Sequence, residues 1–207
     1  MAIKKLVEVW DGKNIIEDNI HFLKQKTQEV RFPLSENNKQ ILIDLLDTYK
    51  VVPCSGIASN QIGYNKRIFI GLKEDVDIDD DEESEEKKEE VIGNPNASNY
   101  EFYINPQIDH SSKKSIQEGE EGCLSIPEIR LLTERFDKIK IRYYNEEGKK
   151  IKKPLKGFIS RLFQHELDHL DGVLMVESQK IKKVYQITDN PNIQILYNHL
   201  INQINSI

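Results

Sequence analysis

The strongest restriction on the fold of this chain comes from one helical run that mixes apolar residues with two histidines and a glutamate. Residues 157–170 read GFISRLFQHELDHL. Positions four residues apart lie on one face of an α-helix, so His165 and His169 share a face with apolar neighbours. Imidazoles buried beside a carboxylate need polar partners. The fold must therefore bring a metal ion or other polar groups against this helix.

The spacing of the two histidines predicts a metal site. Both imidazoles can reach one ion, and Glu166 between them is placed to deprotonate a water held there. The five-residue pattern HExxH also arises by chance, so this hypothesis depends on finding a third ligand.

The third ligand is more readily found upstream than downstream. One class of metallopeptidase has a third histidine where this chain has Met175, and another has a glutamate near residues 188–190, which contain none. Upstream, Cys123 lies in EEGCLSIP. By itself it is typical of a small buried apolar residue, but with the two histidines it completes a Cys-His₂ set. Such a set leaves a fourth position open for water, as in catalytic centres, and suits Fe(II), Zn(II), Co(II) and Ni(II) alike.

Length and cysteine content predict one domain in a reducing compartment. The 207 residues suit a single domain spanning 1–207. Two cysteines are too few for a disulfide-rich secreted scaffold. The N-terminus has no signal-peptide pattern, and no apolar run approaches the ~20 residues of a membrane span. We therefore expect a cytoplasmic protein with no membrane partner.

The acidic residues are concentrated in one segment. Residues 74–90 hold twelve of the 35 acidic and two of the 29 basic residues; they carry −10, and the remainder carries +4. The whole-chain charge of −6 argues against a broad nucleic-acid surface, and we expect no specific DNA partner. The mildly basic remainder, taken without the acidic segment, does not argue against contact with the ribosome. High charge with few apolar groups cannot offset the entropy of ordering, which predicts a mobile insertion at 74–99.

Periodicity predicts the surrounding elements. Ser35 is placed to cap a helix over 36–50 that carries an apolar stripe. The further predicted elements are strands at 67–72 and 100–106, a lysine-rich hairpin at 137–144 and 149–155, and a C-terminal helix at 191–204 with Pro191 at its first position. The lysines of the hairpin are typical of a solvated strand face, and a surface for an anionic partner is the alternative.

Three blocks together resemble the peptide deformylase family, whose members carry G-x-G-x-A-A-x-Q, E-G-C-L-S and Q-H-E-x-D-H in this order. Here residues 54–61 read CSGIASNQ, residues 121–125 read EGCLS and residues 164–169 read QHELDH. The second and third blocks match completely. The first differs at Cys54, where the family usually has glycine, and at Ser59, where it usually has alanine. The resemblance covers roughly 40–175 apart from the acidic insertion.

The resemblance implies an α+β fold with antiparallel β-sheets surrounding a central metal-binding helix, and with a C-terminal helix. It implies a hydrolase that removes the N-formyl group from the N-terminal methionine of nascent polypeptides and releases formate. The family's native metal is usually Fe(II), and zinc is often found after purification. Because the substrate is a nascent chain, we also expect a transient ribosome contact, for which the C-terminal segment offers Lys180, Lys182 and Lys183.

The resemblance also assigns roles within the site. Cys123, His165 and His169 hold the metal, Glu166 transfers the proton, and the side chain of Gln61 and the backbone N–H of Leu124 stabilise the oxyanion. Residues expected to bind substrate are Gly56, which holds the peptide backbone as an added strand, and, around the methionine pocket, Ile57, Glu121, Gly122, Ser125, Arg130, Phe158, Arg161 and Leu162. Glu121 is expected to pair with Arg135 and so fix the loop that carries Cys123.

Two other functions remain open from the sequence. The first is a peptidase of the HExxH type, and the second is a non-catalytic binding protein that keeps the metal for structure. A closed structural site needs four protein ligands, for which Cys54 is the candidate. Cys54 is otherwise a packing residue or a redox-sensitive thiol.

Overall fold

The computed structural model describes residues 3–75, 93–177 and 180–205. The helices are α1 (Glu17–Leu23), α2 (Glu36–Val51), α3 (Gly157–Asp171) and α4 (Ile193–Asn205). The strands are β1 (Gly56–Ala58), β2 (Ile68–Gly71), β3 (Glu101–Ser111), β4 (Ile116–Cys123), β5 (Ile126–Phe136), β6 (Lys138–Tyr144), β7 (Lys150–Lys156) and β8 (Ile181–Gln186). Short 3₁₀ turns lie at Ser59–Ile62 and Met175–Glu177.

Two antiparallel sheets enclose α3. The larger sheet has the order β1-β2-β3-β6-β7, and the smaller has the order β4-β5-β8. Helix α3 contacts strands of both sheets, and its Phe163 ring packs edge-on against Phe69 and Tyr103 of the larger sheet. The expected α+β architecture, with antiparallel sheets around a central helix and a helical C-terminus, is confirmed.

The first predicted helix forms where its capping residue places it. The hydroxyl oxygen of Ser35 accepts a hydrogen bond from the backbone N–H of Asn38 at 3.3 Å, which satisfies one of the free donors of α2. Ile41, Leu45 and Tyr49 are buried along one side of this helix. The spacing of the apolar residues therefore predicted both the helix and its buried face.

The lysine-rich hairpin also forms as the alternation predicts. Ile139, Ile141 and Tyr143 of β6 are buried, while the residues between them face outward. Strand β7 pairs with β6 along its whole length. Successive side chains of a strand point to opposite faces of the sheet, so the alternation of apolar and charged residues predicted the buried and exposed faces of β6.

The smaller sheet was not predicted. Its strands β4 and β5 contain charged residues at close intervals, and β4 includes Gly119 and Gly122. Glycine and charge lower strand propensity, so local sequence gave no signal here.

Helix α4 begins at Ile193, so Pro191 precedes the helix by two residues and does not occupy its first position.

The acidic segment 76–92 lies outside the described residues, and with it most of the insertion predicted at 74–99. The described residues on its two sides meet, because Glu74 and Asn99 exchange hydrogen bonds of 3.2 and 2.9 Å. Within the described ranges, no helix combines the length and apolar character needed to cross a membrane.

Candidate active site

Helix α3 carries both histidines into the interior between the two sheets. His165 and His169 are buried, as are nearly all other residues of the helix after its first turn. Carboxylates satisfy two of the free N–H groups at its N-terminus: Asp75 accepts from Ile159 at 2.9 Å, and Asp137 accepts from Gly157 at 3.1 Å. Negative charge is favourable at that end of a helix dipole. Gly172 ends the helix with a φ of 76°, a conformation that favours glycine.

Cys123 reaches the same point from the smaller sheet. It is the last residue of β4, and the register with β5 shifts between Gly122 and Cys123. Such a bulge redirects side chains next to functional sites. The Cys123 Sγ lies 3.2 Å from His169 Nε2.

The three predicted ligands form one cluster. Ligand atoms of Cys123, His165 and His169 all lie within 4.8 Å of one another, and all three residues are buried. Burial opposes ionisation of the Cys123 thiol, but the neighbouring His169 and His165 outweigh it and hold the thiol pKa well below its usual value. The thiolate is the form that binds a metal.

The surrounding groups prepare the imidazoles to bind a cation. The Nδ1 atom of His165 lies 3.0 Å from a carboxylate oxygen of Glu121, an interaction that fixes the ring and leaves Nε2 available. His169 Nδ1 and Glu166 Oε2 are buried with no hydrogen-bond partner among the described residues. The donor set and its geometry therefore fit a divalent metal ion, with three protein ligands and a position left open.

Glu166 lies beside this cluster in a nearly closed environment. Its side chain is buried, and burial raises the pKa of its carboxyl group to about 7. A carboxylate with a pKa near neutrality can accept and return a proton efficiently.

Two candidate donors lie next to Cys123. The Gln61 Nε2 is 3.6 Å from Cys123 Sγ and 3.3 Å from Ser125 Oγ, while the Gln61 side-chain oxygen accepts from the N–H of Ala58 at 2.9 Å. The last contact orients the amide so that its NH₂ group points toward the cluster. Leu124 directly follows Cys123 in the turn between β4 and β5.

Glu121 joins the cluster to a buried network of cations. Arg135 binds both oxygens of Glu121 at 2.8 and 2.9 Å, and Arg161 binds one of them at 2.7 Å. Burial opposes ionisation of Glu121, but Arg135 and the other partners keep its pKa far below the usual value. The expected pair of Glu121 with Arg135 is present. The part played by Arg161 was not foreseen, because nothing in local sequence connects the two residues.

A cavity of about 540 Å³ opens onto the cluster. Most of the predicted site residues line it: Gly56, Gln61, Glu121, Gly122, Cys123, Leu124, Arg130, Phe158, Arg161, Leu162, His165 and Glu166. Ile57, Ser125 and His169 do not; all three are buried behind the lining. Cys54, which the first motif block places near the site, also lines the cavity. Among the described residues, the cavity meets further positions that sequence reasoning missed, including Leu6, Glu8, Glu128 and Ile187.

The N-terminal segment 6–10 forms hydrogen bonds near both candidate oxyanion donors, Gln61 and the backbone N–H of Leu124. The backbone N–H of Val7 donates to the carbonyl of Gln61 at 2.8 Å, and that of Val9 donates to the carbonyl of Ser125 at 2.9 Å. The Trp10 indole donates to Glu128 at 3.3 Å. Backbone hydrogen bonds of this kind depend on no particular side chain, so the sequence carried no signal for them.

Cys54 lies in the cavity wall outside the ligand cluster. Burial raises the pKa of its thiol to about 12, so the group is a neutral thiol at ordinary pH. Its sulfur is 3.8 Å from the amide nitrogen of Asn94. This environment favours the packing role over the ligand role.

These groups define the site of a metal-dependent hydrolase. The comparisons with known proteins agree with it. The model of the polypeptide deformylase family matches residues 12–185. The peptide deformylase of Fusobacterium nucleatum is 36% identical over 158 residues, covering 75% of this chain and 76% of the relative. Peptide deformylase 1 of Rickettsia conorii is 32% identical over 155 residues, covering 75% and 80%.

A solved structure agrees as well. The crystal structure of the peptide deformylase from Thermotoga maritima matches with a TM-score of 0.66 and 27% identity, over 88% of this chain and all of that one. The chain belongs to the polypeptide deformylase family.

Proposed function

We propose that this chain removes the N-formyl group from the N-terminal methionine of nascent polypeptides and releases formate. The observation that carries the proposal is the buried Cys123–His165–His169 cluster with Glu166 beside it in the wall of an open cavity. Membership of the polypeptide deformylase family supports the same reaction.

Cys123, His165 and His169 would hold the metal, which we propose to be Fe(II); Zn(II), Ni(II) and Co(II) also suit these ligands. When bound, the ion makes water a usable nucleophile near neutral pH and polarises the formyl oxygen. All remaining steps are assigned to side chains and backbone groups of this chain.

Glu166 accepts the proton of the attacking water and later delivers it to the leaving amine. The carbon–nitrogen bond breaks, the formyl carbon leaves as formate, and the methionine amine is freed. A pKa of about 7 suits both steps, because the group changes protonation state near the working pH.

Gln61 Nε2 and the backbone N–H of Leu124 donate to the oxygen that develops negative charge. The contact between the Gln61 oxygen and Ala58 holds the amide in that orientation. A preorganised donor of this kind is worth about 10²–10³ in rate.

The substrate backbone would add to the open edge of β1, since β1 is the terminal strand of the larger sheet. Gly56 lies on this strand, and Glu121, Gly122, Arg130, Phe158, Arg161 and Leu162 line the cavity around the methionine side chain. Ile57 and Ser125 would support this lining from behind. We place the reaction in the cytoplasm, with transient contact between the enzyme and the ribosome.

The direct test measures formate released from a formyl-Met tripeptide by protein prepared without oxygen and loaded with Fe(II). We expect formate together with the free tripeptide. Cleavage of internal peptide bonds would favour the peptidase. Metal bound at one ion per chain with neither product would favour a structural metal site.

Gly56 offers a test of how closely Glu166 is packed. A β-carbon added there would lie 2.7 Å from a carboxylate oxygen of Glu166 and 2.9 Å from Leu162. We expect Gly56→Ala to displace Glu166 and lower formate release at least about tenfold, and to destabilise the fold by about 1–3 kcal/mol.

Gly71 is the matched control because it lies directly opposite Gly56 in the strand register. Its added β-carbon meets nothing closer than 3.4 Å. Turnover and urea unfolding are compared for the two variants. Equal turnover in both would show that Glu166 tolerates the extra atom.

A further inference from the structure

The outward face of the β6–β7 hairpin is a surface of cations. Strand β7 is the edge of the larger sheet and β6 is its inner neighbour. The positions that alternate with the buried residues of these strands project outward. We call the following set the lysine face: Lys138, Lys140, Arg142, Lys150, Lys152 and Lys156.

The strand register places like charges opposite one another on this face. Lys138 pairs with Lys156, and Arg142 pairs with Lys152. Like charges directly opposite in an antiparallel pair are destabilising. A surface that retains two such pairs is therefore less stable than the same hairpin with neutral residues.

Little within the described part of the chain neutralises this charge. Arg142 binds Asp109 and Gln107 of β3. The five lysines form no ion pair with any carboxylate in residues 3–75, 93–177 and 180–205. The C-terminal lysines differ: Lys182 pairs with Glu134 at 2.9 Å, and Lys183 lies over the Tyr185 ring.

Protection of a sheet edge explains only part of the face. Lysines on an edge strand prevent pairing with other chains, which accounts for those on β7. Strand β6 is inside the sheet and paired on both sides, so Lys138 and Lys140 need another explanation.

We propose that the lysine face binds the phosphate backbone of structured RNA. Alternate residues of a strand are about 6.6 Å apart and neighbouring strands about 4.8 Å apart, so the cations form two adjacent rows on the outward face of the sheet. Lysines that neutralise phosphates gain affinity through release of counterions. Exposed bulky apolar side chains beside the charges would strengthen binding to a membrane surface. The outward positions of β6 and β7 without a cation carry Pro154 and the half-buried Tyr144, so RNA is the occupant that we favour.

The choice of RNA rests on the proposed function, because an enzyme acting on nascent chains works beside ribosomal RNA. None of the six residues lines the active-site cavity. RNA held on the lysine face therefore leaves the cavity open to a peptide.

The test uses the full chain and a short fluorescent RNA duplex. The variant Lys138→Gln, Lys152→Gln, Lys156→Gln removes three cations from the face. The control Lys13→Gln, Lys26→Gln, Lys50→Gln removes three exposed cations elsewhere and has the same net charge. Anisotropy titrations at several salt concentrations give the affinity and its salt dependence.

We expect the face variant to bind the duplex at least about tenfold more weakly than the control, with a slope of log affinity against log salt smaller by about 3. A second variant, Lys140→Gln with Lys150→Gln, must also weaken binding. Co-sedimentation with purified ribosomes should fall in the same order. Thermal unfolding should show no loss of stability in either face variant, because each removes charge from a crowded surface.

Several results would overturn the proposal. They are equal RNA affinity in face and control variants, affinity that does not depend on salt, and lysine-dependent binding to phosphatidylserine vesicles without binding to RNA. Formate release from a free formyl-Met tripeptide is measured in parallel. Normal formate release without RNA binding would reject the RNA-binding role of the lysine face but not the proposed reaction. RNA binding without formate release would reject the proposed reaction but not the RNA-binding role.

Discussion

Replacing Glu166 by glutamine is expected to lower formate release by about 10²–10⁴-fold while the metal content stays at that of the wild type. Glutamine keeps the shape of the side chain but can neither accept nor return a proton. The metal ligands are three other residues, Cys123, His165 and His169, so the ion should remain bound. Formate release and metal content by atomic spectroscopy are measured on the same preparation.

The comparison with alanine separates chemistry from packing. Glu166 is buried and closely packed against Gly56, so Glu166→Ala also leaves a space that water can enter. Both variants should lose turnover, and exposed Glu147→Gln provides a charge-matched control. If Glu166→Gln kept more than about a tenth of wild-type turnover with its metal in place, the proton transfer would have to be assigned to another group.

Metal ligands that lie close together in the sequence were easier to predict than the ligand that lies far from them. His165 and His169 lie four residues apart on one helix, so their convergence followed from helix geometry alone. Cys123 lies on a strand of the smaller sheet, and only its motif context connected it with the histidines. The bulge that directs its sulfur toward His169 depends on how β4 pairs with β5. The sequence of one strand alone does not determine this pairing.

The groups that support the site were predictable to a smaller extent. Glu121 meets Arg161 across 40 positions of sequence, and Val7 and Val9 act through backbone N–H groups that any residue but proline offers. Alternation identified the β6–β7 hairpin, whose two faces differ clearly in polarity. Alternation did not identify β4, because this strand consists largely of acidic residues and glycines and has no alternating apolar face.

Replacing Glu121 by alanine is expected to lower the free energy of unfolding by about 3–5 kcal/mol. Glu121 is the carboxylate shared by Arg135, Arg161 and His165, and its side chain is 5% exposed. Removing it leaves buried positive charge without compensation. Arg135 keeps Asp168 as a partner, whereas the partners that Arg161 retains among the described residues are backbone carbonyls. Urea unfolding of the metal-free proteins measures the loss without a contribution from metal binding.

Glu134→Ala is the matched control because it breaks the partly exposed pair with Lys182, which should be worth at most about 1 kcal/mol. If compensation of buried charge is the cause, adding Arg161→Leu to Glu121→Ala should recover part of the lost stability, because one uncompensated cation is then removed. A loss no larger than that of Glu134→Ala would mean that water reaches Arg135 and Arg161 once the carboxylate is gone. Metal affinity gives an independent readout: since Glu121 orients the His165 ring, its removal should weaken metal binding by about 10–100-fold, and Glu134→Ala should not.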